Sequence, residues 1–444
     1  MEPMFSKKEL RDLIVPLVLE QILAVTIGLA DTMMVSSVGE AAVAGISGVD
    51  AINILLINVF SALATGGAVV ASQYLGRGDR KSACSAAKQL ILSGALLSGV
   101  LGLLSLCFAR FILGALMGNV ADDVMKNAQI YFFFSAISYP FLSIYNSGAA
   151  LFRSMGNSLI SFIVSIGMNA LNIIGNAVLI FGLHMGVAGA AIPTLASRVV
   201  GAVVMVILLR NPHLTIHVRD LHKIEFKPDM IRRILQIGVP NGLENGMFQA
   251  GKVIVQRLIN SYGTSAMAAN AVAGNIGSLA ILPGSAISLA MVTVVGQCIG
   301  ARRPEEARRY TNLLMKMSYA SMAVLNVLVA LALPLLLNLY GLTDETFSIA
   351  RELMLSHCVA CILFWPAAFV LPNALRAAGD ARFTMTISII SMFSFRVILS
   401  VILGTTLGMG VLGVWIAMFI DWIFRLIWFI KRYRGDKWLS KQLI

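Results

Sequence analysis

The sequence predicts an all-α integral membrane protein: twelve transmembrane helices in two six-helix bundles related by pseudo-two-fold symmetry. Three observations carry the prediction. The 444 residues are 58% hydrophobic and only 13% charged, about half the charged share of a soluble domain, with a mean hydropathy of +0.83. Twelve apolar runs are each long enough to cross about 30 Å of hydrocarbon at 1.5 Å per residue. The second half of the chain repeats the first at an offset of 224 residues. A water-soluble fold of this composition would leave apolar side chains in water, whereas a bilayer accepts them, so an ordinary cytosolic enzyme is excluded.

The first apolar run follows Lys7, Lys8 and Arg11 and is too long for the core of a cleaved signal peptide, so 13–36 is read as a span. The next five expected spans are 50–73, 88–109, 129–150, 158–182 and 186–209. A polar connection at 210–234 separates a first bundle, 1–209, from a second, 235–444. The second bundle is expected to span at 235–259, 270–296, 313–338, 352–373, 384–407 and 411–431.

With an even number of spans both termini share one side of the membrane, and the basic residues indicate which. On that side fall Lys7, Lys8 and Arg11, then Arg77, Arg80 and Lys81, then Arg219, Lys223, Lys227, Arg232 and Arg233. Arg302, Arg303, Arg308, Arg309, Arg376 and Arg382 follow, and the tail adds Lys431, Arg432, Arg434, Lys437 and Lys441. The opposite connections 37–49, 260–269 and 405–410 hold no Lys or Arg. Both termini are therefore expected in the cytoplasm, with the chain in the cell (inner) membrane. The net charge of +12 reads as a topology signal, not as a nucleic-acid surface.

The repeat places Val15-Pro16 on Val239-Pro240, Leu19-Glu20 on Leu243-Glu244, Gln73 on Gln297 and Gly186-Val-Ala-Gly189 on Gly410-Val-Leu-Gly413. Arg153 and Gly156 match Arg376 and Gly379 one residue out of that offset. Repeats with an even number of spans insert with the same orientation, the arrangement from which alternating access between two bundles is built.

Ionisable groups inside spans are costly and mark function by default. Asp31 lies well inside the first span, far in sequence from any Lys or Arg. Glu20 and Glu244 each follow a proline, Pro16 or Pro240, by four residues; a carboxylate there either caps a helix bend or lines a cleft. The seventh span continues with Gln249, Lys252, Gln256 and Arg257, a polar stripe in which Lys252 would meet Glu244 or a bound carboxylate. Asn169, Asn172 and Asn176 in the fifth span and Thr194 and Ser197 in the sixth either bond neighbouring helices or join Asp31 in a hydrated pocket. Asp421 and Arg425, four apart, are expected to pair, with Arg396 nearby in the second bundle.

Other features carry less. Gly246-Met-Phe-Gln-Ala-Gly251-Lys252-Val253 approximates a phosphate-binding loop but lacks the Ser or Thr after the lysine and sits in mid-span, so no ATP-driven pump is expected. His213, His217 and His222 read as solvated linker. Cys84, Cys107, Cys298, Cys358 and Cys361 read as small buried hydrophobes. No catalytic cluster of His with Ser, Glu or Asp appears in the spans, so no enzyme is predicted.

Over nearly its full length the chain resembles the multidrug and toxic compound extrusion (MATE) family, most closely its prokaryotic members. The resemblance rests on Pro16 with Asp31, Gln73-Tyr-Leu-Gly76-Arg-Gly78-Asp79, Asn172 through Asn176-Ala-Val-Leu-Ile-Phe-Gly182, and Gly186-Val-Ala-Gly189-Ala-Ala-Ile-Pro-Thr194. Gly238-Val-Pro240 with Glu244 and Val295-Gly-Gln297-Cys-Ile-Gly300 complete it. It implies an antiporter that exports organic, often cationic, compounds against a Na+ or H+ gradient, with no other cofactor and no metal beyond Na+ at Asp31. It further implies Asp31 as the cation-coupling carboxylate with Asn172, Asn176 and Thr194 around it, and Glu244 as the second-bundle acid. Many relatives carry Asp at the position of Asn176, so this chain has one carboxylate fewer there and the coupling ion stays open. The partners expected are membrane lipid and a small organic cation, without nucleic acid and without a second subunit. The rival reading is a flippase for lipid-linked sugars or lipids, which needs a basic cavity that only Lys252, Arg257 and Arg396 would furnish.

Overall fold

The computed structural model describes residues 3–118, 120–219, 225–441 and 443–444. Among these residues the secondary structure is helical, with no strand. The first half contains α1 (Lys7–Ser36), α2 (Glu40–Gly76), α3 (Arg80–Cys107), the short α4 (Ala109–Met117), α5 (Asp122–Ser154), α6 (Ser158–Asn176) and α7 (Ala188–Leu209). The second contains α8 (Pro228–Asn260), α9 (Thr264–Ala280), α10 (Leu282–Gly300), α11 (Pro304–Asn338) and α12 (Asp344–Leu363), then α13 (Leu371–Ala377), α14 (Ala381–Ser391), α15 (Leu399–Val401) and α16 (Gly410–Arg434).

The helix ends follow local chemistry. Asp79 caps α3 by accepting from the Ser82 amide at 3.0 Å. Asp122 and Asp123 open α5, and Lys431, Arg432 and Arg434 close α16, so each complements the helix dipole. Among the described residues ten helical stretches are long and apolar enough to cross a membrane. The remaining two expected spans, 129–150 and 235–259, lie in α5 and α8, whose polar residues lower their hydropathy.

Several expected spans are interrupted. The run 270–296 is two helices that part at Ile281, where Pro283 in the first turn of α10 lacks an amide proton and crowds the preceding turn. The run 352–373 leaves α-geometry after Leu363, and a π-helical turn over Pro366–Val370 leads into α13. The run 384–407 is interrupted by π-helical turns at Met392–Ile398 and Ile402–Thr406, and α6 ends in another at Ala177–Gly182. Such widened turns leave backbone groups outside the regular ladder and recur at functional sites.

The chain divides into two compact units, one of residues 7–242 and one of residues 1–6 with 243–444. The boundary lies inside α8, not in the expected connection 210–234. That connection belongs to the first unit because the Gln89 side chain donates to the Glu225 carbonyl at 2.6 Å and accepts from the Lys227 amide at 3.1 Å. The start of α8 belongs there too: at Gly66 a Cβ would stand 2.4 Å from the Ile234 carbonyl oxygen, so only glycine permits the approach. Residues before α1 belong to the other unit, with the Phe5 amide donating to the Tyr310 hydroxyl at 2.8 Å.

In the N-terminal unit α5 packs against α2, α3 and α7, while α6 packs against α1 and α7. Gly45 of α2 lets the α5 backbone come close, since a Cβ there would meet the Ala128 nitrogen at 2.9 Å. In the C-terminal unit α9 packs on α12, α10 on α11 and α13, and α16 against the π-helical turns that flank α15.

Candidate coupling-ion site

α1, α6 and α7 bring the expected polar residues of the first bundle together. The Asn176 amide donates to Asp31 Oδ1 at 2.7 Å and to Asn172 Oδ1 at 3.3 Å, and Asn172 in turn donates to Thr194 Oγ1 at 3.0 Å. Asn172 and Asn176 lie one turn apart on α6, so both present their amides to one side. Asn169 falls outside this chain of bonds and donates to Ser165 on its own helix. The Asn176 carbonyl oxygen is buried and accepts no hydrogen bond among the described residues, a cost of about 1–3 kcal/mol unless another group fills the place.

A second carboxylate, not anticipated from the sequence, reaches the same place. Asp50 of α2 lines a cavity of about 260 Å³ together with Asp31, Tyr131, Asn176 and Thr194. Asn53 donates to Asp50 at 3.2 Å, and Tyr139 donates to Asn53 Oδ1 at 2.8 Å. Arg198 of α7 interacts electrostatically with both Asp31 and Asp50 and donates to Ser138 at 2.6 Å. The sequence held the signal: Arg198 is a cation inside an apolar span, and Asp50 stands at the margin of another. With both Asp31 and Asp50 ionised, the cluster with Arg198 carries one net negative charge.

The acids near the prolines are engaged differently. Glu244 receives the Arg376 guanidinium on both carboxylate oxygens at 2.7 Å and the Ser388 hydroxyl at 2.6 Å. Its partner is therefore Arg376, not Lys252. Glu20 stands at 4.0 Å from Arg153 and accepts from Ser161 at 3.2 Å. Glu20 and Glu244, and likewise Arg153 and Arg376, are repeat partners, so each half builds the same acid–arginine pair. Pro16 and Pro240 both lie inside continuous helices, one turn before these acids.

The rest of the α8 stripe spreads out. Lys252 and Gln256 line a separate cavity in the C-terminal unit, whereas Gln249 and Arg257 are not among its walls. Arg425 donates to Asp421 at 3.0 Å, closing that pair. Gly246 to Val253 is helical, without the loop a phosphate would require. His217 packs against Cys84 at 3.8 Å, and His222 lies outside the described residues. Cys298, Cys358 and Cys361 are buried, but Cys107 is exposed and Cys84 half-buried. Among the described residues no three His, Cys, Asp or Glu side chains converge as metal ligands.

The MatE family model matches residues 16–178 and again residues 240–402. The chain belongs to the MatE family. The two matches begin at Pro16 and Pro240, the residues paired by the 224-residue repeat. Among the relatives of the chain, a protein described as an uncharacterized transporter, YisQ of Bacillus subtilis (strain 168), is 30% identical over 439 residues, covering 96% of this chain and 94% of its own. The probable multidrug resistance protein NorM of Thermotoga maritima is 26% identical over 447 residues, covering 99% of this chain and 94% of its own. A solved outward-facing multidrug resistance MATE transporter superimposes with a TM-score of 0.88 at 19% identity, covering 97% of this chain and 96% of its own. The protein is thus an all-α, multi-pass member of a transporter family.

Proposed function

We propose that this protein is a secondary active exporter. It moves organic, often cationic, drugs or toxic metabolites out of the cell by alternating access, in exchange for Na+ or H+. The observation that carries the reading is the cluster in which Asp31 and Asp50 line one cavity, with Arg198 interacting with both acids and the unbonded Asn176 oxygen on the side chain that donates to Asp31. An uncompensated charge inside a bundle costs several kcal/mol, and a bound cation or proton removes it. Asp31 and the Asn176 oxygen would hold Na+, or Asp31 would accept the proton. Neutralisation then changes the pull between α1, α2 and α7, the step that couples ion entry to drug release. The basic residues at one set of loops support an inner-membrane protein with both termini in the cytoplasm; in this reading it acts as a single chain, with lipid and a small organic cation as partners.

Purified protein in liposomes tests this reading. An imposed Na+ or H+ gradient should drive movement of a fluorescent organic cation, and the gradient that works names the ion. A carboxylate about 5 Å from a cation is worth about 3 kcal/mol at an effective dielectric of about 20, so Asp31→Asn and Asp50→Asn should each weaken coupling roughly 100-fold. Transport by Asp31→Asn at the wild-type rate, or no movement under either gradient, would sink the reading.

A further inference from the structure

The C-terminal unit contains a second cavity, of about 390 Å³, whose chemistry is the reverse of the Asp31 site. Phe248 of α8 lies in its wall with three cations around the ring: Lys252 Nζ at 5.9 Å, Arg396 at 5.1 Å and Arg425 at 5.7 Å from the centroid. Asp421 is the one carboxylate paired with any of them among the described residues, and Arg425 already holds it at 3.0 Å and also donates to the Ser388 carbonyl. Arg396 reaches Asp421 only at 3.9 Å and otherwise donates to the Met418 sulfur, a weak acceptor. Lys252 has no ion-pair or hydrogen-bond partner among the described residues beyond the Phe248 face. Three cations against one anion leave two net positive charges in a membrane helix bundle. Cation–ring contacts of about 0.5–2 kcal/mol each do not offset the several kcal/mol that an uncompensated cation costs there.

The remaining walls specify the body of a ligand. Trp365 stacks on Phe369 with ring centroids 5.2 Å apart, and Trp422 meets Phe369 edge-on at 5.7 Å. The Trp422 indole N–H is buried and donates to nothing among the described residues. Trp415 instead donates to Asn270 at 2.9 Å. We propose that this cavity binds a small aromatic carboxylate, its anionic group between Lys252 and Arg396 and its ring among the tryptophans. An arginine fork with unfilled donors suits a carboxylate, and the volume lies within the range of small-molecule pockets. The site adds an anionic ligand class to the exporter reading and does not depend on it.

The test is direct binding to the full-length protein in discs of zwitterionic lipid. Three of the five tryptophans line the cavity, so contact quenching by a brominated probe reports occupancy. The probes are 3,5-dibromobenzoate, the neutral 3,5-dibromobenzamide and the cationic 3,5-dibromobenzylammonium. Saturable quenching by the benzoate is expected, with the amide and the ammonium weaker by about ten-fold or more, the loss of roughly one charge-assisted contact. Lys252→Gln should weaken the benzoate about ten-fold, while Lys252→Arg, which keeps the charge, restores most of it. Asp31→Asn should leave this binding unchanged, so failure here and failure of the coupling-ion reading are distinguishable. Equal binding of amide and benzoate overturns the proposal in the wild-type protein, whatever the variants do. So does unchanged affinity in Lys252→Gln. Loss of benzoate quenching when phosphatidylglycerol is added to the discs would assign the cavity to a lipid headgroup instead and overturn the aromatic carboxylate.

Discussion

The repeated acid–arginine pair gives a comparison with its own control. In the C-terminal unit the Arg376 and Glu244 side chains are each 10% exposed, joined by two 2.7 Å contacts and supported by Ser388. In the N-terminal unit Arg153 and Glu20 are 17% and 14% exposed and stand at 4.0 Å, beyond hydrogen-bond length. Removing one partner of a buried, hydrogen-bonded pair leaves the other charge unpaired, at about 3–5 kcal/mol. The looser pair should cost about 1 kcal/mol, the usual range for a weakly bonded ion pair. Glu244→Gln should therefore lower the unfolding temperature by about 6 °C or more, taking about 2 °C per kcal/mol for a unit of this size, and Glu20→Gln by roughly a third as much. Loss of helical circular dichroism in detergent reads both units, and a thiol-reactive dye reports the C-terminal one, where Cys298, Cys358 and Cys361 are buried and become reactive when it opens. Replacing both partners, Glu244→Leu with Arg376→Met, should recover much of the loss. Equal shifts for Glu244→Gln and Glu20→Gln would refute the structural role. An unshifted unfolding temperature with lost gradient coupling would make Glu244 a coupling acid instead.

Two further outcomes follow from packing and capping. At Gly66 a side chain would drive into the α8 backbone at 2.4 Å, whereas at Gly242 a Cβ meets only the Ala62 methyl at 3.6 Å. Gly66→Val should abolish monodisperse protein on size exclusion and Gly242→Ala should not, because a backbone clash cannot relax by a rotamer change. Hydrogen bonds from the Ser82 hydroxyl and amide hold the Asp79 carboxyl below the ordinary aspartate range. A carboxylate lowered in the folded state contributes stability above its unfolded pKa and loses it as pH falls through the folded one. Asp79→Ala should thus cost about 1 kcal/mol at pH 7, with the difference in unfolding temperature shrinking below about pH 4; a constant difference across that range would contradict the cap.

Much of the candidate site was legible because a polar residue in an apolar span stands out. Asp31, Asn172, Asn176 and Thr194 were readable that way, and the structure places them in one chain of hydrogen bonds. Asp50 and Arg198 were less so, since their meaning depends on the fold bringing them within reach of Asp31. The acid–arginine pairs show the same limit: the repeat aligned Glu20 with Glu244 and Arg153 with Arg376, yet nothing in the spacing joined the acid to the arginine.

The sequence by itself determined the membrane class, the duplication and the set of polar groups confined to the spans, because hydropathy and charge are properties of composition and order. Only the tertiary structure decided which of those groups meet. A charge in a low-dielectric interior is governed by neighbours a few ångströms away, and on packed helices those neighbours lie over a hundred residues off, as Arg376 does from Glu244. Packing also gathered acids in one unit and cations in the other: Asp31 and Asp50 line one cavity, Lys252 and Arg396 another.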